Sequence, residues 1–139
     1  MEGIKVLFVT GFGPIVRDAA SRAFYEDTLG IEFQEEHDYR HTESLEGAKT
    51  FALWPLSQAA ESCFGSKDWP ADKTVPHAWL EFDVEDIATA TAALKSQGYE
   101  LITEAKVEPW GQTVTRLLSP EGILVALART PWMRPGAST

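Results

Sequence analysis

The 139 residues include a single cysteine, Cys63. No internal disulfide can form, which excludes a secreted disulfide framework and makes a reducing, cytoplasmic compartment the expectation. Positive charge is also scarce: 12 Lys and Arg stand against 21 Asp and Glu, for a net charge of −9. Such a surface repels phosphate backbones and anionic lipid, so no nucleic-acid and no membrane partner is expected. A cationic or neutral small molecule remains compatible with it. No uncharged apolar run reaches the roughly 18 residues that a spanning helix needs. Glu2 precedes Lys5 with no small-residue cleavage pattern behind them, so no signal peptide is expected either.

Apolar material is plentiful. The chain is 44% hydrophobic, with five Trp and seven Phe, too much apolar surface to stay solvated. The length suits one domain of about 100–150 residues, which buries roughly two-thirds of its unfolded surface without a metal or disulfide staple.

An internal repeat organises the chain. Residues 16–32 and 84–100 align without a gap at an offset of 68, pairing Val16 with Val84, Asp18 with Asp86, Ala20 with Ala88, Gly30 with Gly98 and Glu32 with Glu100. In each copy an apolar run ends in Asp, a helical stretch of about 11 residues follows, and a Gly precedes another apolar run. Asp18 and Asp86 are good N-caps, because a carboxylate accepts the orphan amide protons of a first turn. Gly30 and Gly98 suit the left-handed position that ends a helix. Ala20, Ala23, Phe24 and Leu29 approximate one apolar face, as do Ile87, Ala90, Thr91 and Leu94 in the second copy. The remainder reads as strand: 4–16 (bent at Gly11, Gly13 and Pro14), 31–37, 39–45 and 48–55, then 77–84, 99–106, 112–119 and 123–129. Pro120-Glu121-Gly122 reads as a tight turn. The expected organisation is module 1 (4–56), a connecting helix and loop (57–75), module 2 (76–130), and a tail (131–139) that ends the fold or frays.

Two tandem β-α-β-β-β units with this wording resemble the vicinal oxygen chelate superfamily of glyoxalases, extradiol dioxygenases and bleomycin-resistance proteins. Three stretches carry the likeness: Val16-Arg17-Asp18 with Phe24–Gly30, then Phe82–Gly98, and finally Trp110-Gly111-Gln112 with Ser119-Pro120-Glu121-Gly122. The resemblance implies an α+β fold in which two modules form a curved half-barrel sheet around a cavity. It also implies where a divalent metal would be held. One ligand lies seven residues before each capping Asp, here Gly11 and Trp79, and another on each last strand, here Trp54 and Ala126. Glycine, alanine and tryptophan do not ligate divalent cations, so no cofactor is expected.

Trp54, Trp79 and Trp110 are then expected to border the cavity, suiting a flat or cationic organic ligand by stacking and cation–π contact, unless these rings simply fill the core. In a strand His77 and Glu81 share a face with Trp79. They read either as an acid–base or ligating pair, or as a strand-start histidine near a surface carboxylate. Arg116 completes the candidate set. His37 and His41, among Glu35, Glu36, Asp38 and Glu43, read as a solvated turn, and Cys63 as a buried thiol on the connecting helix. Gly11-Phe12-Gly13 is not a dinucleotide fingerprint, because the helix begins too late, after Asp18. The expectation is a metal-free small-molecule-binding homodimer of the bleomycin-resistance type. A lyase, isomerase or dioxygenase of the same fold, using a metal through other residues or acting through Glu81, His77 or Arg116, is the alternative.

Overall fold

The longest strand of the protein, β1 (Val6–Val16), runs through the middle of an eight-stranded sheet. The computed structural model describes residues 3–134. After β1 come α1 (Ala19–Ala23), a wide π turn (Phe24–Thr28), β2 (Gln34–Glu36), β3 (Tyr39–Thr42), β4 (Phe51–Pro55) and α2 (Leu56–Phe64). The second half repeats the order as β5 (Ala78–Val84), α3 (Ile87–Ser96), β6 (Thr103–Val107), β7 (Thr113–Leu118) and β8 (Leu124–Arg129).

The strands lie in the order β2-β3-β4-β1-β5-β8-β7-β6. In each half the first and last strands pair in parallel, β1 with β4 and β5 with β8. The halves meet where β1 and β5 run antiparallel, with Gly11 opposite Glu81 and Gly13 opposite Trp79. This is the α+β fold of two β-α-β-β-β units that the 68-residue repeat predicts. The sheet stays open, with β2 and β6 at its edges.

The caps work as their chemistry requires. Asp18 accepts from the Ser21 amide at 2.8 Å and Asp86 from the Thr89 amide at 3.0 Å. These hydrogen bonds hold both carboxyls below their ordinary range. Gly30 and Gly98 take positive φ of 71° and 87° where each helical segment ends. The first helical stretch departs from its predicted regular form. After one turn of α1 it widens, with Leu29 donating to the Phe24 carbonyl. The extra residue turns Tyr25, rather than Phe24 and Leu29, onto the Val16, Phe51 and Leu53 cluster, and leaves Phe24 and Leu29 exposed.

Neighbouring residues on one strand serve opposite faces. Val16 and Leu53 pack under Tyr25 of the π turn, and Val84 and Leu127 under α3. On the other face Ile15, Ala52, Trp79 and Leu124 pack with Ala59 and Cys63 of α2. Cys63 is the buried thiol expected on the connecting helix, and burial pushes it up to about 11. α2 thus covers one end of this second face, and the rest is a trough.

Of the two readings of the tail, ending the fold or fraying, the described part follows the first. Thr130 is fully buried, Pro131–Met133 forms a 3-10 turn, and Arg134 is held. The cause is Asp83 on β5, itself fully buried. It accepts from the Thr130 amide, the Thr130 hydroxyl and Arg134 Nε, each at 2.8 Å, and from the Thr10 hydroxyl. A buried carboxylate needs such partners, and here the C-terminal segment supplies most of them. Residues 135–139 of the predicted tail lie outside the described residues.

Packing between β1 and β4 is tight. A Cβ on Gly13 would sit 1.9 Å from the Ala52 carbonyl oxygen. Gly13→Ala is expected to lower the stability by about 3 kcal/mol in urea unfolding, since backbone on both sides resists displacement. A loss below about 0.5 kcal/mol would show that the two strands part freely.

Candidate functional site

The trough is a cavity of about 590 Å³ between the two modules, within the usual range of about 300–1,000 Å³ for organic ligands. Its floor is Trp79, only 5% exposed. The indole crosses β1 and donates from Nε1 to the Ala52 carbonyl at 3.1 Å. Only glycine leaves room for it: a Cβ on Gly11 would lie 2.9 Å from the far edge of the ring, and one on Gly13 would lie 3.1 Å from Nε1. Trp54 meets Trp79 edge to face, with centroids 6.1 Å apart.

Beside Trp54 stands Arg116, whose guanidinium lies 5.5 Å from the ring centroid. Its Nη1 donates to Glu108 Oε1 at 2.7 Å, and both side chains are 2% exposed. Ser62 of α2 donates to the same oxygen at 3.0 Å. The cation is therefore already neutralised and stacked.

Glu81 is the β5 carboxylate of the cavity wall. Gln112 Nε2 donates to it at 2.8 Å and to the Thr130 hydroxyl at 2.8 Å, while Gln112 Oε1 accepts from Trp110 Nε1 at 2.8 Å. One chain of hydrogen bonds thus joins Trp110, Gln112, Thr130 and Asp83, with Glu81 as a branch. Burial raises the Glu81 carboxyl above its ordinary range. Arg116 and the Gln112 hydrogen bond oppose that shift, and Asp83 and Glu108 reinforce it.

Of the residues singled out in the sequence, Trp54, Trp79, Glu81, Trp110 and Arg116 all line the cavity. His77 does not. It lies exposed in a bend before β5, where its carbonyl accepts from the Ile15 amide. Strand alternation does not reach it, because β5 begins at Ala78. The solvated-turn reading holds for His37, exposed in the β2–β3 turn, and fails for His41, which lies half-buried on β3; both border the cavity. The β2–β3 hairpin folds over the trough, turning through positive φ at His37 (49°) and Asp38 (69°). Gln58 of α2 donates to the His37 carbonyl.

Tyr39, Trp132 and Met133 were not singled out, and they line the cavity too. Tyr39 shares a strand face with His41, a period-of-two signal present in the sequence. Trp132 depends on the Asp83 anchor, which local sequence does not reveal.

The four positions where the fold resemblance places metal ligands hold Gly11, Trp54, Trp79 and Ala126. The Trp79 indole fills the space over Gly11. Among the described residues no three His, Cys, Asp or Glu side chains are grouped to hold an ion. The residues present do not fit a divalent metal.

Residues 15–127 match the family model described as Glyoxalase/Bleomycin resistance protein/Dioxygenase superfamily. The chain belongs to this superfamily. Among solved structures, a superfamily member from Vibrio splendidus 12B01 is similar, with a TM-score of 0.55 and 19% identity over 91% of this chain and 99% of that one. An extradiol ring-cleaving dioxygenase from B. fuscum gives a TM-score of 0.57 and 19% identity over 89% of this chain, which spans 32% of that one. Streptomyces coelicolor methylmalonyl-CoA epimerase gives 0.52 and 16% over 89% and 97%. At these identities the glyoxalase likeness is one of fold. No curated protein matches the sequence.

The raised Glu81 pKa has a consequence for stability. The folded state favours the protonated carboxyl, so the group costs nothing well below the ordinary value of 4.5 and costs progressively more as pH rises through the folded value. Glu81→Gln keeps an acceptor for Gln112 and removes that cost. The variant is expected to melt above wild type at about pH 8 and level with it at about pH 4, by thermal unfolding. A gain of equal size at both pH values would contradict the assignment.

Proposed function

We propose that this glyoxalase-superfamily chain is a metal-free protein that binds a flat cationic organic compound and sequesters it in the trough. The observation that carries this reading is the cavity's lining. Four indoles surround the space, three carboxylates (Glu36, Glu43 and Glu81) face it, and the single cationic side chain, Arg116, is already paired with Glu108. An apolar slot with unbalanced negative charge attracts a planar cation.

The rings divide their duties. Trp79 and Trp54 are committed to internal contacts, whereas Trp110 and Trp132 are 51% and 50% exposed. The rim pair is therefore the stacking surface, and Trp79→Ala would read stability more than binding. The neighbours include a dioxygenase and an epimerase, so a reaction on a small metabolite is the second reading. The raised Glu81 carboxyl favours it, being suited to proton transfer.

A homodimer is part of the proposal. Val6, Leu7 and Val9 are 50%, 40% and 44% exposed on the part of β1 that β4, paired only from Phe12 onward, does not reach. A second copy covers such an edge well. Light scattering at tens of micromolar should give about twice the 15.4 kDa chain mass; the single-chain mass would overturn the dimer. A cytoplasmic location fits the free thiol, and no described helix is long and apolar enough to cross a membrane.

Binding is tested by tryptophan fluorescence with planar cations and their neutral isosteres. Trp110→Ala and Trp132→Ala should each weaken the cation by about 1 kcal/mol or more. Glu81→Gln should weaken the cation more than the isostere. No saturable quenching by any cation, or equal losses for both ligand classes, would contradict the proposal.

A further inference from the structure

His41 is a polar group in the trough whose use the fold does not explain. It sits on β3, its side chain 14% exposed, stacked on Tyr39 with centroids 5.3 Å apart. Its Nδ1 lies 2.7 Å from Glu43 Oε2. An ionised carboxylate has no proton to give, so Nδ1 is the donor in that contact, and in the neutral ring Nε2 carries the lone pair. Nε2 is buried and has no hydrogen-bond partner. Leaving a buried acceptor unpaired costs stability, and no hydrogen bond of the fold offsets that cost here.

Four donors of the lining are already engaged elsewhere. Trp79 gives its N–H to Ala52, Trp110 to Gln112, and Thr10 to Asp83, while Gln112 gives both amide protons to Glu81 and Thr130. Glu81 accepts a single hydrogen bond among the described residues, that of Gln112. Unpaired acceptor capacity therefore remains on two walls, at His41 Nε2 and at Glu81. An occupant that carries N–H donors supplies what both lack.

We infer that His41 is the hydrogen-bond acceptor of the binding site, held in register by Glu43, and that the ligand is a planar cation bearing N–H donors, of the amino-substituted heteroaromatic class. This deepens the cation-binding reading and rests on it. Charge and stacking admit any flat cation, whereas His41 selects those that carry an N–H.

Two dyes with the same cationic ring separate these requirements. Proflavine carries exocyclic amino groups, and acridine orange carries dimethylamino groups in their place. Wild type should bind proflavine roughly tenfold more tightly, the scale of a hydrogen bond to a charged donor. His41→Phe keeps a ring against Tyr39 and removes the acceptor. It should weaken proflavine to the level of acridine orange and leave acridine orange unchanged. A readout on unmutated protein comes from imidazole 15N spectra in mildly alkaline buffer. Nε2 of His41 should resonate as an unprotonated, pyridine-type nitrogen and move upfield when proflavine binds. Equal affinity for the two dyes, or an Nε2 signal that ignores bound proflavine, would overturn the inference and leave the cation reading standing. Failure of both dyes to bind would overturn the two together.

Discussion

The contact of the Trp79 indole with Gly11 and Gly13 is the constraint on which the trough depends. The ring belongs to β5, crosses β1, and is pinned by its N–H to a carbonyl of β4. It therefore clamps the two modules together at their seam. It also fills the space over Gly11, where the fold resemblance places a metal ligand. Each partner requires the other: without the glycines the ring has no place, and without the ring two glycines in mid-strand would weaken β1 for no return.

A second constraint runs through buried charge. Asp83, fully buried, recruits Thr10, Thr130 and Arg134, and so brings Trp132 and Met133 to the trough. Through Thr130 and Gln112 the same network reaches Glu81 and Trp110. The wall of the cavity and the closure of the fold are thus one polar system. Such networks are rigid when satisfied and costly when broken. In that setting an unpaired Nε2 on His41 stands out, since the polar groups around it are matched with care.

The fold was legible because its signals are local and occur twice. Asp18 and Asp86 cap, Gly30 and Gly98 terminate, and the apolar runs between them alternate as strands do. Half the site followed from the same signals, since Trp79 and Glu81 alternate along one strand. The other half depends on contacts between distant segments. His41 looks solvated among its acidic neighbours, and becomes part of the site only when the hairpin lies over the trough beside α2. His77 fails for the opposite reason: alternation was extended one residue past the start of β5. For the tail the sequence left ending the fold and fraying both open, because the carboxylate that holds Thr130 lies 47 residues earlier in the chain.

The central claim is that an indole and an organic cation, rather than a divalent metal, fill the middle of this superfamily fold. A crystal structure grown with excess nickel and proflavine tests it, using anomalous diffraction at the nickel edge. The account predicts no anomalous peak in the trough, Trp79 still lying across Gly11 and Gly13, and the dye between Trp110 and Trp132 with an amino group on His41 Nε2. A nickel peak in the trough, ligated by His41 and Glu81 with Trp79 swung away from Gly11, would contradict it.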